Sequence, residues 1–144
     1  MTARIEMNAA PGAYEALRTL SHYLEKCSVP AEIRGLVKLR VSMTNGCAFC
    51  IDMHWAEAVA RGEPVERLYG LLTWDERPEY TPRERAALAW ADAVNRLETT
   101  DALFAQVREH FSERELADLT FSIAAMNAWN RICAAFRSVP ASAR

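Results

Sequence analysis

The chain has 144 residues, of which 51% are hydrophobic and 25% are charged, and its formal net charge is −2. A chain of this length is typical of one domain and can bury a core without disulfides or metal ions. Because the charge is nearly balanced, the chain lacks the excess of positive charge that is expected of a protein that binds nucleic acid or an acidic membrane surface.

The first residues and the cysteine content indicate where the protein works. Residues Met1–Gly12 lack the apolar core of a secretory signal. The uncharged stretch Leu119–Asn130 is too short to cross a bilayer. Four cysteines in a chain of this size do not indicate a disulfide scaffold. We therefore expect a cytoplasmic protein whose cysteines serve redox chemistry, metal binding or packing.

The first two predicted helices are marked by apolar residues three or four positions apart. The first helix carries Ala13, Leu17, Leu20, Leu24 and Cys27 on one face, so Cys27 is interpreted as a core residue. The second begins near Pro30, and its apolar face is formed by Ile33, Leu36, Val37 and Val41. Asn45-Gly46 ends it, because both residues tolerate the left-handed conformation.

The middle of the chain predicts a third helix from Cys47 to Arg61, followed by the breakers Gly62 and Pro64. A short fourth helix is expected over Val65–Leu72, and a polar loop over Thr73–Tyr80.

Two capping boxes mark later helices. Thr81-Pro82-Arg83-Glu84 begins one helix, and Ser112-Glu113-Arg114-Glu115 begins a long last helix that runs towards Phe136. Between them, Thr100-Asp101 opens a shorter helix. The middle of the last helix is nearly uncharged, so we expect it between other helices or in a subunit contact. No segment alternates with period two, and the prediction is a single all-α domain of about six or seven helices.

The candidate chemistry lies in Cys47-Ala48-Phe49-Cys50-Ile51-Asp52-Met53-His54. Helical spacing places Cys47, Cys50 and His54 on one face. Two thiols on adjacent turns can form a disulfide, and an imidazole one turn later can accept a proton from a thiol. Cys47 sits at the helix start, where the dipole and free N–H groups favour a thiolate. The pattern indicates thiol–disulfide exchange or peroxide reduction.

Zinc is the main alternative for this segment, because thiolates and imidazole are its ligands. A structural zinc site needs a fourth ligand, which would come from His22, His110, Cys27 or Cys133. None of these shows a second metal-like spacing. We interpret Cys133 as a core residue of the last helix, His22 as exposed, and predict no metal and no cofactor.

The stretch Leu39-Arg40-Val41-Ser42 through Asn45-Gly46-Cys47-Ala48-Phe49-Cys50 to Met53-His54 resembles the carboxymuconolactone decarboxylase/alkyl hydroperoxidase D (AhpD) superfamily. Ala128-Trp129-Asn130-Arg131 is similar to a segment of one small-protein branch, and the resemblance covers about residues 10–137. It implies an all-helical fold assembled as trimers or hexamers. It also implies that peroxide oxidises Cys50, that Cys47 resolves the product to a disulfide, and that His54 belongs to the proton relay. A dithiol or thioredoxin-like partner would reduce the disulfide.

Two points qualify what the resemblance implies. The helix dipole favours Cys47 as the more acidic thiol, whereas the resemblance implies Cys50; we expect Cys50, because His54 lies one turn from it. The peroxidase pattern also has a glutamate twelve residues before the first cysteine, where this chain has Gly35. Glu32 or Glu57 would have to replace that carboxylate.

Three hypotheses follow. The first is a peroxidase-like thiol oxidoreductase acting on small or organic hydroperoxides, or a thiol–disulfide exchanger if neither glutamate substitutes. The second is a decarboxylase acting on a lactone acid, which does not need a dithiol. The third is a non-catalytic redox-sensing or metal-binding module.

Overall fold

The computed structural model describes residues 1–143, which contain seven α-helices and two short 3₁₀ helices and no β-strand. The predicted all-α class is confirmed. The α-helices are α1 (Pro11–Glu25), α2 (Ala31–Asn45), α3 (Ala48–Ala60), α4 (Val65–Tyr69), α5 (Pro82–Arg96), α6 (Asp101–Arg108) and α7 (Glu113–Phe136). The 3₁₀ helices are Gly70–Glu76 and Ala141–Ala143.

Helices α2 and α7 form the centre of the bundle. Helix α2 packs against α3, α5 and α7, and α7 also packs against α1, α3, α5 and α6. Leu119 and Ile123 of α7 are fully buried in the main core. The expectation that the last helix lies between other helices is therefore confirmed. Within residues 1–143, no helix combines the length and apolarity needed to cross a bilayer. The cytoplasmic location and the trimeric or hexameric assembly stay predictions.

Both predicted capping boxes are present. Thr81 accepts the Glu84 backbone N–H at 3.2 Å, and Glu84 accepts the Thr81 N–H at 2.8 Å. Ser112 and Glu115 form the same pair of bonds at 3.1 and 2.8 Å. Each cap satisfies donors that a helix start leaves free, which stabilises the fold by about 1 kcal/mol.

The end of α1 differs from the prediction. The helix ends at Glu25, so Cys27 does not continue its apolar face; it is half-buried and packs against the main core from the following loop. The buried Arg34 guanidinium donates to the carbonyls of Leu24 at 2.5 Å and Val29 at 3.0 Å. The bond to Leu24 helps to satisfy a carbonyl in the last turn of α1, where a helix leaves carbonyls without intrahelical partners.

The segment between α4 and α5 also differs. Helix α4 ends at Tyr69, and the 3₁₀ helix Gly70–Glu76 occupies the first half of the stretch predicted as a loop, Thr73–Tyr80. Its geometry breaks at Thr73, which has non-helical dihedral angles.

Long-range hydrogen bonds hold this segment in place. Arg40 donates to the Leu71 carbonyl at 3.0 Å and to both carboxylate oxygens of Asp92, at 2.9 and 3.1 Å. The Trp74 indole N–H donates to the same carboxylate at 3.0 Å. These partners lie on α2 and α5, far away along the chain. The local spacing of apolar residues therefore did not predict the 3₁₀ helix.

The turn from α2 to α3 depends on Gly46, which has φ 66° and ψ 33°. Its N–H donates to the Met43 carbonyl at 3.2 Å, and the Cys47 N–H donates to the Ser42 carbonyl at 3.1 Å. The predicted stop at Asn45-Gly46 is confirmed. Glycine is favoured here because a side chain adds strain in the left-handed conformation.

Side-chain amides join this turn to α7. Asn45 donates to the side-chain oxygens of Asn130 at 2.9 Å and Asn127 at 3.1 Å. Asn130, itself 2% exposed, donates to the Ser42 hydroxyl at 3.1 Å. The turn that leads into Cys47 is thus bonded to the central helix.

A buried carboxylate joins α7 to the end of α1. Asp118 accepts from the Ser28 hydroxyl at 2.6 Å, the Ser28 backbone N–H at 3.1 Å and the Tyr23 hydroxyl at 2.8 Å. Burial by itself raises the pKa of Asp118, but the hydrogen bonds from Ser28 and Tyr23 outweigh it and leave the pKa below its usual value.

A pair of glycine substitutions tests the turn. Gly46→Ala should lower the free energy of unfolding by about 1 kcal/mol, because the left-handed backbone disfavours a Cβ. Gly12→Ala, in the first turn of α1, should raise it by about 0.5 kcal/mol. A Cβ at either position meets no atom within 4 Å, so backbone conformation alone separates the two variants. Urea unfolding measures both, and equal shifts would contradict the assignment.

Asp118→Asn should destabilise the protein at pH 7 by about 1–3 kcal/mol, because the amide cannot accept all three bonds. The folded pKa of Asp118 is lowered, so its stabilisation is complete above the ordinary aspartate value of about 3.9 and is lost as the pH falls through the folded value. The difference from wild type should therefore shrink below about pH 4 in urea titrations. The exposed Asp75→Asn serves as the control, and equal stability of Asp118→Asn and wild type at pH 7 would refute the prediction.

Candidate active site

Cys47 and Cys50 lie at the beginning of α3 and form a disulfide, with their Cα atoms 5.3 Å apart. Cys47 is the N-cap residue, and its Sγ accepts the Cys50 backbone N–H at 3.3 Å. The two residues are only 2% and 1% exposed. The pairing places the two sulfurs within bonding distance across one helical turn, which is the geometry that a redox-active dithiol requires.

His54 lies one turn after Cys50 and is 4% exposed. Its Nδ1 lies 2.9 Å from a carboxylate oxygen of Glu57, one turn further along α3. The bond with His54 lowers the pKa of Glu57, burial opposes it, and the nearby Lys38 and Arg61 add to the lowering. An ionised Glu57 can only accept, so the ring donates through Nδ1, and in the tautomer with this single N–H, Nε2 is a proton acceptor.

The Nε2 atom of His54 is buried and has no hydrogen-bond partner among residues 1–143. The Ser122 hydroxyl, on α7, is the other buried side-chain polar atom in the described chain without one. Both residues line the same cavity, of about 750 Å³. An unpartnered buried polar atom costs free energy, so two of them on one cavity indicate a place for a polar ligand group.

The cavity wall is otherwise largely apolar. Its aromatic and thioether side chains come from α1, α3 and α7, and the first residues of the chain cover one side; among them are Met7, Tyr14, Phe49, Met53, Met126 and Trp129. The Arg4 backbone N–H donates to the Phe136 carbonyl at 2.8 Å and holds that first segment against α7. Cys50 lines this cavity, whereas Cys47 lies behind it.

Cys133 is a residue of the site that sequence analysis missed. It is 3% exposed, as expected for a core residue, but it packs with Cys47 and Cys50 in a separate cluster rather than in the main core. The three Sγ atoms lie within 4.8 Å of one another. Burial raises the pKa of the Cys133 thiol, which a hydrogen bond with Ser138 partly offsets. The sequence places Cys133 on the apolar face of α7. Spacing along one helix cannot show that this face packs against Cys47 and Cys50.

The structure also distinguishes the two glutamates considered for the missing carboxylate. Glu32 is exposed in the first turn of α2 and is not part of the cavity wall, whereas Glu57 lines the cavity and contacts His54. At Gly35, a Cβ would overlap the Arg61 guanidinium, so Arg61 occupies the space where a side chain at this position would begin.

The other residues considered as zinc ligands lie elsewhere. His22 is exposed, as predicted, and lies next to Arg18. His110 lies beyond the end of α6, and its carbonyl accepts from Arg83 at 3.2 Å. Only Cys133, of the four residues considered, comes together with Cys47 and Cys50 in the described chain.

Comparison with known proteins shows which family the chain resembles in sequence and fold. Residues 10–93 match the carboxymuconolactone decarboxylase family. Over 136 residues, the chain is 38% identical to the uncharacterized protein YdfG of Bacillus subtilis strain 168, covering 92% of each protein.

Two solved structures share the fold. ATU0492 from Agrobacterium tumefaciens, a protein of unknown function proposed to be an AhpD antioxidant defence protein, is 38% identical with a TM-score of 0.92; the match covers 96% of this chain and 98% of that one. A complex of the debrominase Bmp8 with 2,3,4-tribromopyrrole has a TM-score of 0.84 at 21% identity and covers 95% of this chain and 75% of that one. The second likeness concerns the fold alone.

Glu57→Gln should slow the reaction of the reduced dithiol with peroxide by roughly tenfold or more, because an amide no longer fixes which ring nitrogen of His54 carries the proton. Nitrogen NMR of the imidazole should show the proton shifting between Nδ1 and Nε2. Because the pKa of Glu57 is lowered, its effect should persist down to about pH 4.3 and disappear only in stronger acid. The exposed Glu66→Gln is the matched control. An unchanged rate and tautomer in Glu57→Gln would show that Glu57 does not position the ring.

Proposed function

The chain belongs to the carboxymuconolactone decarboxylase family, and on that premise we propose that it is a thiol-dependent peroxidase that reduces organic hydroperoxides. The observation that carries the proposal is the placement of Cys50 and the unpartnered Nε2 of His54 on one cavity, with Cys47 bonded behind Cys50. The AhpD-type assignment proposed for ATU0492 supports the same class of chemistry.

The position of Cys50 on the cavity wall supports it as the residue that peroxide oxidises. Cys50 lines the cavity and Cys47 does not, so a substrate in the cavity meets the sulfur of Cys50 first. Cys47 is the N-cap of α3, where backbone N–H groups favour a thiolate. A thiolate at Cys47 suits the second step, in which the resolving sulfur attacks.

The proposed catalytic cycle has three steps: oxidation of Cys50, formation of the disulfide and its reduction. His54 Nε2 takes the Cys50 proton, the thiolate attacks the terminal peroxide oxygen, and the O–O bond breaks. The alkoxide receives the proton from His54 and leaves as an alcohol, while Cys50 carries a sulfenic acid. Cys47 then attacks the Cys50 sulfur, water leaves, and the disulfide forms. A reduced dithiol exchanges with this disulfide and restores both thiols.

The shape of the cavity supports an organic rather than an inorganic peroxide. Its volume of about 750 Å³ accommodates a molecule with a sizeable apolar body. His54 Nε2 and the Ser122 hydroxyl are available for the polar peroxide group. The aromatic pair of Tyr14 and Trp129, with ring centres 6.0 Å apart, forms part of the apolar wall.

The reductant would be a dithiol or a thioredoxin-like protein. Both sulfurs of the disulfide are buried, so the attacking thiol must enter through the cavity or follow a movement of the first residues. No bound cofactor is part of this proposal.

The decarboxylase activity that names the family is the second candidate. Lactone decarboxylation does not require a dithiol, and the Cys47–Cys50 disulfide therefore favours the peroxidase. Activity on a lactone acid that survives in a Cys47→Ser, Cys50→Ser double variant would favour the decarboxylase instead.

Thiol counting and intact mass before and after one equivalent of cumene hydroperoxide test the proposal. Wild type should lose two thiols and the mass of two hydrogens, whereas Cys50→Ser should lose neither. Cys47→Ser combined with Cys133→Ser should stop at a sulfenic acid that dimedone traps, because no thiol of the cluster is then left to resolve it. Cys27→Ser is the matched control, since Cys27 lies outside the cluster and should leave the oxidation unchanged.

The oxidation rates and the turnover with a reductant distinguish an organic-hydroperoxide peroxidase from a redox sensor. Cumene hydroperoxide should react faster than hydrogen peroxide, and Ser122→Ala should slow both reactions, because its hydroxyl is available to the peroxide group that the two substrates share. Turnover with a dithiol such as dithiothreitol supports an enzyme, whereas reversible oxidation without turnover would support a redox sensor. Unchanged thiols in wild type would overturn the proposal.

A further inference from the structure

A second chemistry is suggested by the sulfur atoms themselves. Cys47 and Cys50 at the start of α3 meet Cys133 of α7, and all three residues are at least 97% buried. Met7, from the segment that precedes α1, packs against the same cluster. Three cysteine sulfurs and a thioether from three parts of the chain therefore meet at one place.

The spacing of the three sulfurs suits a metal ion. Their Sγ atoms lie within 4.8 Å of one another. A metal–sulfur distance of about 2.3 Å places the sulfurs of a trigonal site roughly 4 Å apart. A reduced Cys47–Cys50 pair can therefore close on an ion together with Cys133 through small side-chain movements.

The donor set selects the kind of ion. Thiolates and thioethers are soft ligands that select Cu(I), zinc or iron–sulfur clusters, whereas calcium and magnesium require oxygen ligands. Structural zinc and iron–sulfur clusters use four cysteine or histidine ligands, and this cluster offers three cysteines, which suits Cu(I) better. Among residues 1–143, this cysteine set is the one group of three or more metal-ligating side chains, and it contains no carboxylate and no imidazole. The helix start at Cys47 adds partial positive charge that offsets the thiolates.

A metal ion can reach the cysteine cluster through the cavity. Cys50, Cys133 and Met7 all line the cavity beside His54, so the cluster is buried without being sealed. We propose that the reduced protein binds one Cu(I) ion through Cys47, Cys50 and Cys133, which the fold brings together beside the Met7 thioether.

Oxidation and metal binding then exclude each other. When a hydroperoxide oxidises Cys47 and Cys50 to the disulfide, it takes two electrons from the two thiols and leaves as an alcohol and water. The cluster loses two of its three thiol ligands, and the ion is released as Cu(I). Bound copper in turn shields Cys50 from peroxide.

Anaerobic competition with the Cu(I) chelator bicinchoninate tests the site. The reduced wild type should take up one equivalent, and Cys27→Ser should match it. Cys133→Ser should bind at least tenfold more weakly, and the disulfide form should not compete. Equal affinity of Cys133→Ser and wild type would overturn the assignment of Cys133.

X-ray absorption of copper-loaded wild type gives a measurement that does not depend on any variant. Three or more sulfur neighbours at the ion are expected, and two would contradict the proposed site. Peroxide-driven thiol loss in metal-free wild type is measured separately, so a failure of the peroxidase proposal is distinguishable from a failure of the copper site.

Discussion

The left-handed turn at Gly46 decides where the chemistry of this protein lies. It ends α2 and makes Cys47 the N-cap of α3, so that only Gly46 and Cys47 separate the two helices. The Ser42 carbonyl accepts the Cys47 N–H, and the Ser42 hydroxyl accepts from Asn130 of α7. The same bonds therefore hold the dithiol at the helix start and set α7 beside it, which brings Cys133 to the cluster.

The contrast between satisfied and unsatisfied polar groups distinguishes the cavity from the rest of the buried interior. Asp118 and Asn130 are as deeply buried as the site residues, and each has several hydrogen-bond partners within the chain. His54 Nε2 and the Ser122 hydroxyl have none among the described residues. A buried polar atom without a partner costs about 1–3 kcal/mol, a cost that a ligand in the cavity can offset.

The carboxylate of the site comes from a different helix than the resemblance implies. Gly35 on α2 offers no side chain, and the Arg61 guanidinium lies against it. Glu57, on the same helix as the cysteines, supplies a carboxylate to His54 through a one-turn contact. Such a contact is set by helical geometry alone, so the ring is oriented without any requirement on the packing of α2.

The sequence by itself determined the all-α class, both capping boxes, the stop at Gly46 and the spacing by which Cys47 pairs with Cys50 one turn before His54. Each of these depends on residues within about a turn of one another, where backbone geometry fixes the contacts. Only the tertiary structure decided that the stretch after Tyr69 forms a 3₁₀ helix and that Cys133 and Ser122 belong to the site. The 3₁₀ helix is bonded to Arg40 of α2 and Asp92 of α5, which lie far away along the chain. Packing of α7 against α3 brings Cys133 and Ser122 to the cavity of Cys50 and His54, and no local spacing indicates this packing.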